Sequence, residues 1–359
     1  MNLLKKKKKS HILVMEKNQE NILFASSSNQ VWVWNTMIVS FEIHSDCNIS
    51  DRFIFITLLD EQLICHESLS YYYKDFDKCA IHIIARDGTV EVKNIKYCIL
   101  NFLLFNHYVL AEGLDSTHAY DPFKNYVLWS LTFRGRSFNS HGDYFLMKHH
   151  KKPTVGLYNK RTGREKWVIE LSKYIYPTTV GTRDVDQAEF DGINSQWVLN
   201  IAGEIMAIDA ETGQIKWVRE PLTTDKFIFD EALSNLYFID TNTKYKEELI
   251  DYKVLNAING HTILTKEWSP KMLDFFKYFT DEVTSNVSFS QPIGIASDGF
   301  YFAIRNLGFL YKADKLTGDI LEIYKSDEAF GSCIIYNNHL LIVENRDDRE
   351  SNSLLIFEV

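Results

Sequence analysis

AIDAETGQIKW, residues 207–217, places an acid, Asp209, four residues before Gly213 and eight before Trp217, with Ile208 and Ile215 on either side of a Glu-Thr-Gly centre. Apolar and polar residues alternate on both flanks, which is the period of a half-buried strand. Gly213 supplies the positive φ of a tight turn without a Cβ clash, and Asp209 can accept hydrogen bonds from the turn amides. The stretch therefore reads as a β-hairpin. Trp217 falls on the outgoing strand, where a large flat ring with one N–H donor suits packing between two sheets.

The phrase recurs along the chain. LYNKRTGREKW (157–167) keeps Thr162, Gly163 and Trp167 in register, with Asn159 in the place of Asp209. AYDPFKNYVLW (119–129) keeps Ala119, Asp121 and Trp129, and puts Asn125, which tolerates the left-handed region, where the glycine stood. LNAINGHTIL (255–264) retains Asn256 and Gly260. KADKLTGDILE (312–322) retains Asp314, Thr317 and Gly318 but has Glu322 at the tryptophan position. IARDGTVEV (84–92) reads as a further hairpin around Gly88. Successive turn positions 88, 125, 163, 213, 260 and 318 lie 37, 38, 50, 47 and 58 residues apart. Hairpins repeating at ~40–50 residues are the mark of a β-propeller, whose four-stranded blades cannot bury both faces alone.

With those residues in view, the phrase A-x-D-x-x-T-G-x-x-x-W resembles the PQQ-like repeat, the tryptophan-docking motif of quinoprotein dehydrogenase-type propellers and their non-enzymatic scaffold relatives. Residues 207–217 match it in full and 119–129 and 157–167 in part, so the resemblance covers roughly residues 80–325. It implies an all-β fold, a single propeller of four-stranded blades, with Trp129, Trp167 and Trp217 docked between blades and Gly163, Gly213 and Gly318 in the turns. Eight blades are expected, with seven as the alternative because residues 20–80 carry no clear motif. The chain end offers only three strands, 332–336, 339–344 and 353–359, so the N- and C-terminal strands are expected to pair. HILVMEK (11–17) is the candidate fourth strand, and a local hairpin of 11–17 with 22–28 is the alternative.

Composition fits one large domain. The 359 residues are 45% hydrophobic and 14% aromatic, and with six prolines and sixteen glycines no linker divides them. Residues 1–10, with Lys5 to Lys9, read as a basic disordered tail before a propeller domain over 11–359; KMLDFFKYF (271–279) alone has helical spacing. The five cysteines are scattered and odd in number, the basic start lacks the long apolar core of a signal peptide, and no apolar run is long enough to span a bilayer. A cytoplasmic chain with no membrane association is expected. The net charge of −9 argues against nucleic acid as a partner and toward a basic protein.

Catalytic signatures do not assemble. Quinone-dependent relatives commonly carry adjacent cysteines in the cofactor site and are exported; this chain has no adjacent pair, so no cofactor is expected. RDVDQAEFDG (183–192) concentrates Asp184, Asp186, Glu189 and Asp191, but lacks the glycine and glutamate spacing of a calcium loop and reads as a solvated acidic loop. His149 and His150 would face opposite sides of a strand with no further ligand nearby, so no metal site is expected. No nucleophile-elbow, P-loop or H-E-x-x-H motif occurs.

Loop length then suggests where a partner binds. The stretches 133–143, 172–184 and 268–288 follow outer strands, and 241–248 and 345–352 fall between middle strands, which places all of them on one face of a propeller. There Tyr174, Tyr176, Phe275, Phe276 and Tyr278 are candidate aromatic anchors, and Asp184, Asp186, Asp347, Asp348 and Glu350 a candidate acidic rim. The expected function is non-catalytic protein binding, sharpened to an immunity protein that sequesters a basic toxin. A scaffold subunit of a larger assembly and a metal- or quinone-dependent enzyme are the alternatives.

Overall fold

The computed structural model describes residues 116–171, 185–201, 204–219, 227–241, 250–267, 291–345 except 298, 306 and 307, and 352–359; of the first 115 residues it describes the strands, together with residues 85, 87 and 89. The chain divides into two compact units, Leu13–Arg183 and Asp184–Val359 together with Met1–Ile12. Among the described residues, eight four-stranded antiparallel sheets form, four in each unit. Seven are meanders whose strands, A to D, follow in chain order, and the eighth takes its strand D from the start of the chain. We number the sheets 1 (residues 14–46), 2 (53–95), 3 (104–131), 4 (135–170), 5 (185–219), 6 (228–267) and 7 (291–325). Sheet 8 comprises Ala329–Tyr336, His339–Asn345, Asn352–Glu358 and, as its strand D, Asn2–Lys9.

The two-residue period of a strand explains how the sheets stack. In strand B of sheet 6, Leu236 and Phe238 join Val198, Ile205 and Ala207 of sheet 5, while Tyr237 between them turns to Phe300 and Phe302 of sheet 7. In sheet 7, Tyr301 and Ala303 alternate with those phenylalanines and meet Leu340, Ile342 and Phe357 of sheet 8. The same arrangement joins sheets 2 and 3 through Ile81, Ile83, Val109 and Tyr120, and sheets 3 and 4 through Leu110, Phe145 and Met147. A strand covered on both faces reads as a continuous apolar run, which is why GFYFAI has no polar partner face. Each fully buried Phe or Leu contributes roughly 1.5–3 kcal/mol.

Four expectations are corrected. The lysine run is not a tail: Asn2–Lys9 pairs antiparallel with Asn352–Glu358, from Asn2 opposite Glu358 to Lys9 opposite Asn352. The terminal strands do pair, but through this run; Val14–Lys17 instead pairs with Leu23–Ser26, the local hairpin, and opens sheet 1. Backbone bonds along strand C of sheet 8 supply the partner, and a ladder accepts lysines as readily as apolar residues at an edge. Next, 133–143 is not a long loop, since Gly135–His141 is strand A of sheet 4. Finally, the acidic span is not a loop either, since Val185–Asp191 is strand A of sheet 5. The segment 271–279 lies outside the described residues.

Candidate protein-interaction surface

The C–D turns share one wiring scheme. Asp209 Oδ1 accepts hydrogen bonds from the backbone N–H groups of Glu211 (3.1 Å) and Thr212 (2.8 Å) and from Thr212 Oγ1 (2.9 Å). Gly213, at φ 73°, donates to the Asp209 carbonyl at 2.9 Å. Asn159 Oδ1 caps Arg161 and Thr162 in the same way, Asn256 caps Ile258 and Asn259, Asp314 caps Leu316 and Thr317, and Asp121 caps Phe123 and Lys124. Asn125 takes the left-handed position at φ 56°. The Thr212 amide and hydroxyl hold the Asp209 carboxyl below its ordinary range, with Lys216 adding a smaller pull.

An aromatic side chain from the preceding sheet covers three of these turns. Trp129 lies on Gly163, where an added Cβ would come within 2.6 Å of Trp129 Cε3, and its Nε1 donates to the Lys160 carbonyl at 2.8 Å. Trp217 lies on Gly260 and donates to Ala257 O at 3.0 Å. Gly318 is covered by Tyr252, whose hydroxyl donates to Lys315 O at 2.9 Å. In every case the acceptor is the carbonyl of the second residue of the turn. Trp167 is buried at 8% exposure.

The structure treats the candidate residues unevenly. Tyr174, Tyr176, Asp184, Phe275, Phe276, Tyr278, Asp347, Asp348 and Glu350 lie outside the described residues. Asp186 is placed in strand A of sheet 5, within a register shift between Val185 and Gln187. Asp191 is fully buried and binds the Asn194 amide, the Asn194 side chain and Gln196 Nε2 at 2.8 to 3.1 Å. His149 Nδ1 accepts from the Lys151 and Lys152 amides at 3.0 and 3.2 Å, and its ring stacks on Phe133 at 4.6 Å. Burial first, then Lys152, His150 and Lys151, lowers its pKa. His118 sits between Ser116 Oγ and Ser130 Oγ at 2.7 and 2.8 Å, with its pKa lowered by burial. Among the described residues no group of three or more metal-ligating side chains forms, and no helix is long and apolar enough to cross a membrane.

What sequence reasoning missed lies on the short turns of sheets 5 to 7. Ile193, Leu233, Ile258 and Leu316 are exposed at 64, 45, 50 and 70%. Ile258 and Leu316 are the third residues of capped turns, where the amide is held inward by Asn256 or Asp314. Bonds between turns hold these tips at one end of the sheets. Asn194 Nδ2 donates to Ser234 Oγ at 3.1 Å, the Ala257 amide to Ser234 O at 2.7 Å, and Lys315 Nζ lies 3.5 Å from Asp230 Oδ2. An apolar residue beside a turn-capping Asp or Asn was the available signal.

No protein-family model matches the chain, and a search of curated proteins found no match. Solved structures do resemble it. BamB from Moraxella catarrhalis aligns over 99% of both chains with TM-score 0.67 at 12% identity. A europium-containing methanol dehydrogenase aligns over 100% of this chain and 93% of its own with TM-score 0.65 at 10% identity. Sqt1 of Saccharomyces cerevisiae aligns over 100% and 99% with TM-score 0.63 at 10% identity. At such identities the likeness concerns the fold alone: the chain is an all-β propeller with four-stranded blades.

Proposed function

We propose that this chain is a non-catalytic, protein-binding propeller of PQQ-like repeats, working in the cytoplasm on a basic protein partner as an immunity protein for a basic toxin would. One observation carries the reading: the acids and histidines that the sequence singles out as candidates for chemistry, where described, hold the frame. Asp209, Asp314 and Asp191 cap turns, His149 caps the turn at Lys151, and His118 bridges two serines. A frame wired this way presents its short turns with little ordering cost on binding. The net charge of −9 favours a basic partner through steering. Tyr174, Tyr176, Phe275, Phe276 and Tyr278 are proposed anchors, with Asp184, Asp186, Asp347, Asp348 and Glu350 as an acidic rim. The test is capture from the native cell extract at graded salt, followed by calorimetry with the recovered protein. A basic protein bound at fixed stoichiometry, with affinity falling as salt rises, is the expected result. Recovery of no such protein, or alcohol-dependent dye reduction after reconstitution with pyrroloquinoline quinone and calcium, would overturn it.

A further inference from the structure

We propose that the outer edge of sheet 8, Asn2–Lys9, is a binding site for a linear phosphate chain, the backbone of single-stranded nucleic acid contacted without regard to base. This site stands independently of the protein-binding reading and follows from the position of the lysine run: five consecutive lysines are fixed in a ladder rather than carried on a tail. A strand advances about 3.4 Å per residue, so Lys5 to Lys9 follow at the interval at which one DNA strand carries its charges along the helix axis. Pairing fixes the row before a ligand arrives, which lowers the ordering cost that a flexible lysine tail meets. Asn2–Lys9 ends the strand order of its sheet, and among the described residues no further strand lies on its outer side.

The charge around the row leaves it positive. Opposite Lys5 to Lys9 stand Ile356, Leu355, Leu354, Ser353 and Asn352, so no carboxylate meets a lysine across the ladder. The strands of sheet 8 contain two carboxylates, Glu344 and Glu358. Glu344 is buried and accepts from Ser326 Oγ, and Glu358 lies opposite Asn2, away from the lysines. The connection 346–351 sets Arg346 and Arg349 against Asp347, Asp348 and Glu350, one negative charge in excess. Asp327 and Glu328 precede strand A, which is the opposite edge of the sheet. The net charge of −9 is therefore carried elsewhere, and beyond a screening length of about 8 Å it acts weakly on this edge. It does select the shape of the ligand. A bilayer surface or a duplex brings negative charge toward the acidic remainder of the chain, whereas a single strand can follow one row of lysines alone. Asn2–Lys9 contains no aromatic residue, so bases find no stacking platform in it and the contact is to phosphate.

The test uses the full chain and a fluorescein-labelled thymidine oligonucleotide, read by fluorescence anisotropy as salt is raised from about 50 to about 200 mM. With five phosphate contacts, log affinity should fall against log salt with a slope of about −3.5, roughly a hundredfold loss over that range. Lys6→Gln with Lys8→Gln should weaken binding and bring the slope to about −2. Replacing Lys5 to Lys9 by threonine should abolish binding, and replacing them by arginine should keep it. A morpholino oligomer of the same sequence, which carries no phosphate charge, should not bind, and inorganic polyphosphate should compete. Amide hydrogen exchange over residues 2–9 shows whether the strand persists in each variant; if threonine loses it, the glutamine pair, which keeps three lysines, takes its place. Binding by the strand-retaining variants equal to wild type, a slope near zero, or a morpholino that binds as tightly as the oligonucleotide would overturn the site. So would attachment to phosphatidylserine vesicles without binding of the oligonucleotide. Wild-type amides over residues 2–9 that exchange as fast as those of an unstructured peptide would overturn it as well, since the run would then be a tail.

Discussion

At three of the capped turns an aromatic residue of the preceding sheet ends in a donor that reaches a turn carbonyl. Lys160 O, Ala257 O and Lys315 O are taken by Trp129, Trp217 and Tyr252, so the requirement is a flat side chain ending in a donor rather than tryptophan as such. Replacing Trp217 by Phe keeps most of the packing and loses one hydrogen bond, at about 1 kcal/mol. Replacing it by Ala removes the cover from Gly260 as well and should cost about 3 kcal/mol in urea unfolding. A Trp217→Ala variant within 0.5 kcal/mol of wild type, a surface substitution's usual range, would mean that docking contributes nothing. The capping acid makes a second prediction. Because turn hydrogen bonds lower the folded pKa of Asp209, its contribution is present above the unfolded carboxylate range and is lost as pH falls through the folded value. Asp209→Asn keeps the cap geometry that Asn159 and Asn256 already use. It should therefore change stability little at neutral pH and shift the acid-unfolding limb to lower pH, as followed by circular dichroism.

At the scale of a hairpin, the turn glycine and the ring above it act as one unit. Gly260 has φ 72°, and a Cβ there would stand 2.7 Å from Trp217 Cε3. Gly260→Ala thus combines a left-handed alanine, about 1–2 kcal/mol, with displacement of Trp217. It should destabilise more than Trp217→Phe, and an effect below 1 kcal/mol would show that the ring moves aside without loss. These hairpins were legible because an Asp or Asn, a left-handed residue and an outgoing aromatic are local features. The A strands of sheets 4 and 5 were not. Register shifts at Ser137/Ser140, Val185/Gln187, Pro292/Gly294 and Phe330/Cys333 break the two-residue alternation, so RSFNSH and DQAEF read as loops. Tyr252 as the cover of Gly318 was equally hidden, because Leu264 holds the tryptophan position and the replacement comes from the neighbouring strand. The tips Ile258 and Leu316 were visible in the sequence, but their common location required the bonds between turns.

Across the whole molecule, the first strand of the chain completes the last sheet, and its sequence is unlike any other outer strand. Residues Lys5 to Lys9 pair with Ile356, Leu355, Leu354, Ser353 and Asn352 in a continuous register. A run of lysines at a sheet edge deters pairing with another chain, whereas Asn352–Glu358 behind it has an apolar NSLLIFE sequence whose Leu354, Leu355, Ile356 and Phe357 are buried. Pairing in this register joins residue 2 to residue 358, so the strand's loss should be felt in the C-terminal unit, to which residues 1–12 belong. Deleting residues 1–10 leaves sheet 1 with its first strand, which begins at Val14, and exposes Asn352–Glu358 as the new edge. The expected outcome is a lower melting temperature, at roughly 2–4 °C per kcal/mol lost, and concentration-dependent association in sedimentation velocity. Replacing Lys5 to Lys9 with threonine separates the two roles: the strand remains able to pair, so stability should be largely kept while association rises. A deletion variant that stays monomeric and melts like the wild type would show that the terminal strand neither stabilises the sheet nor guards it.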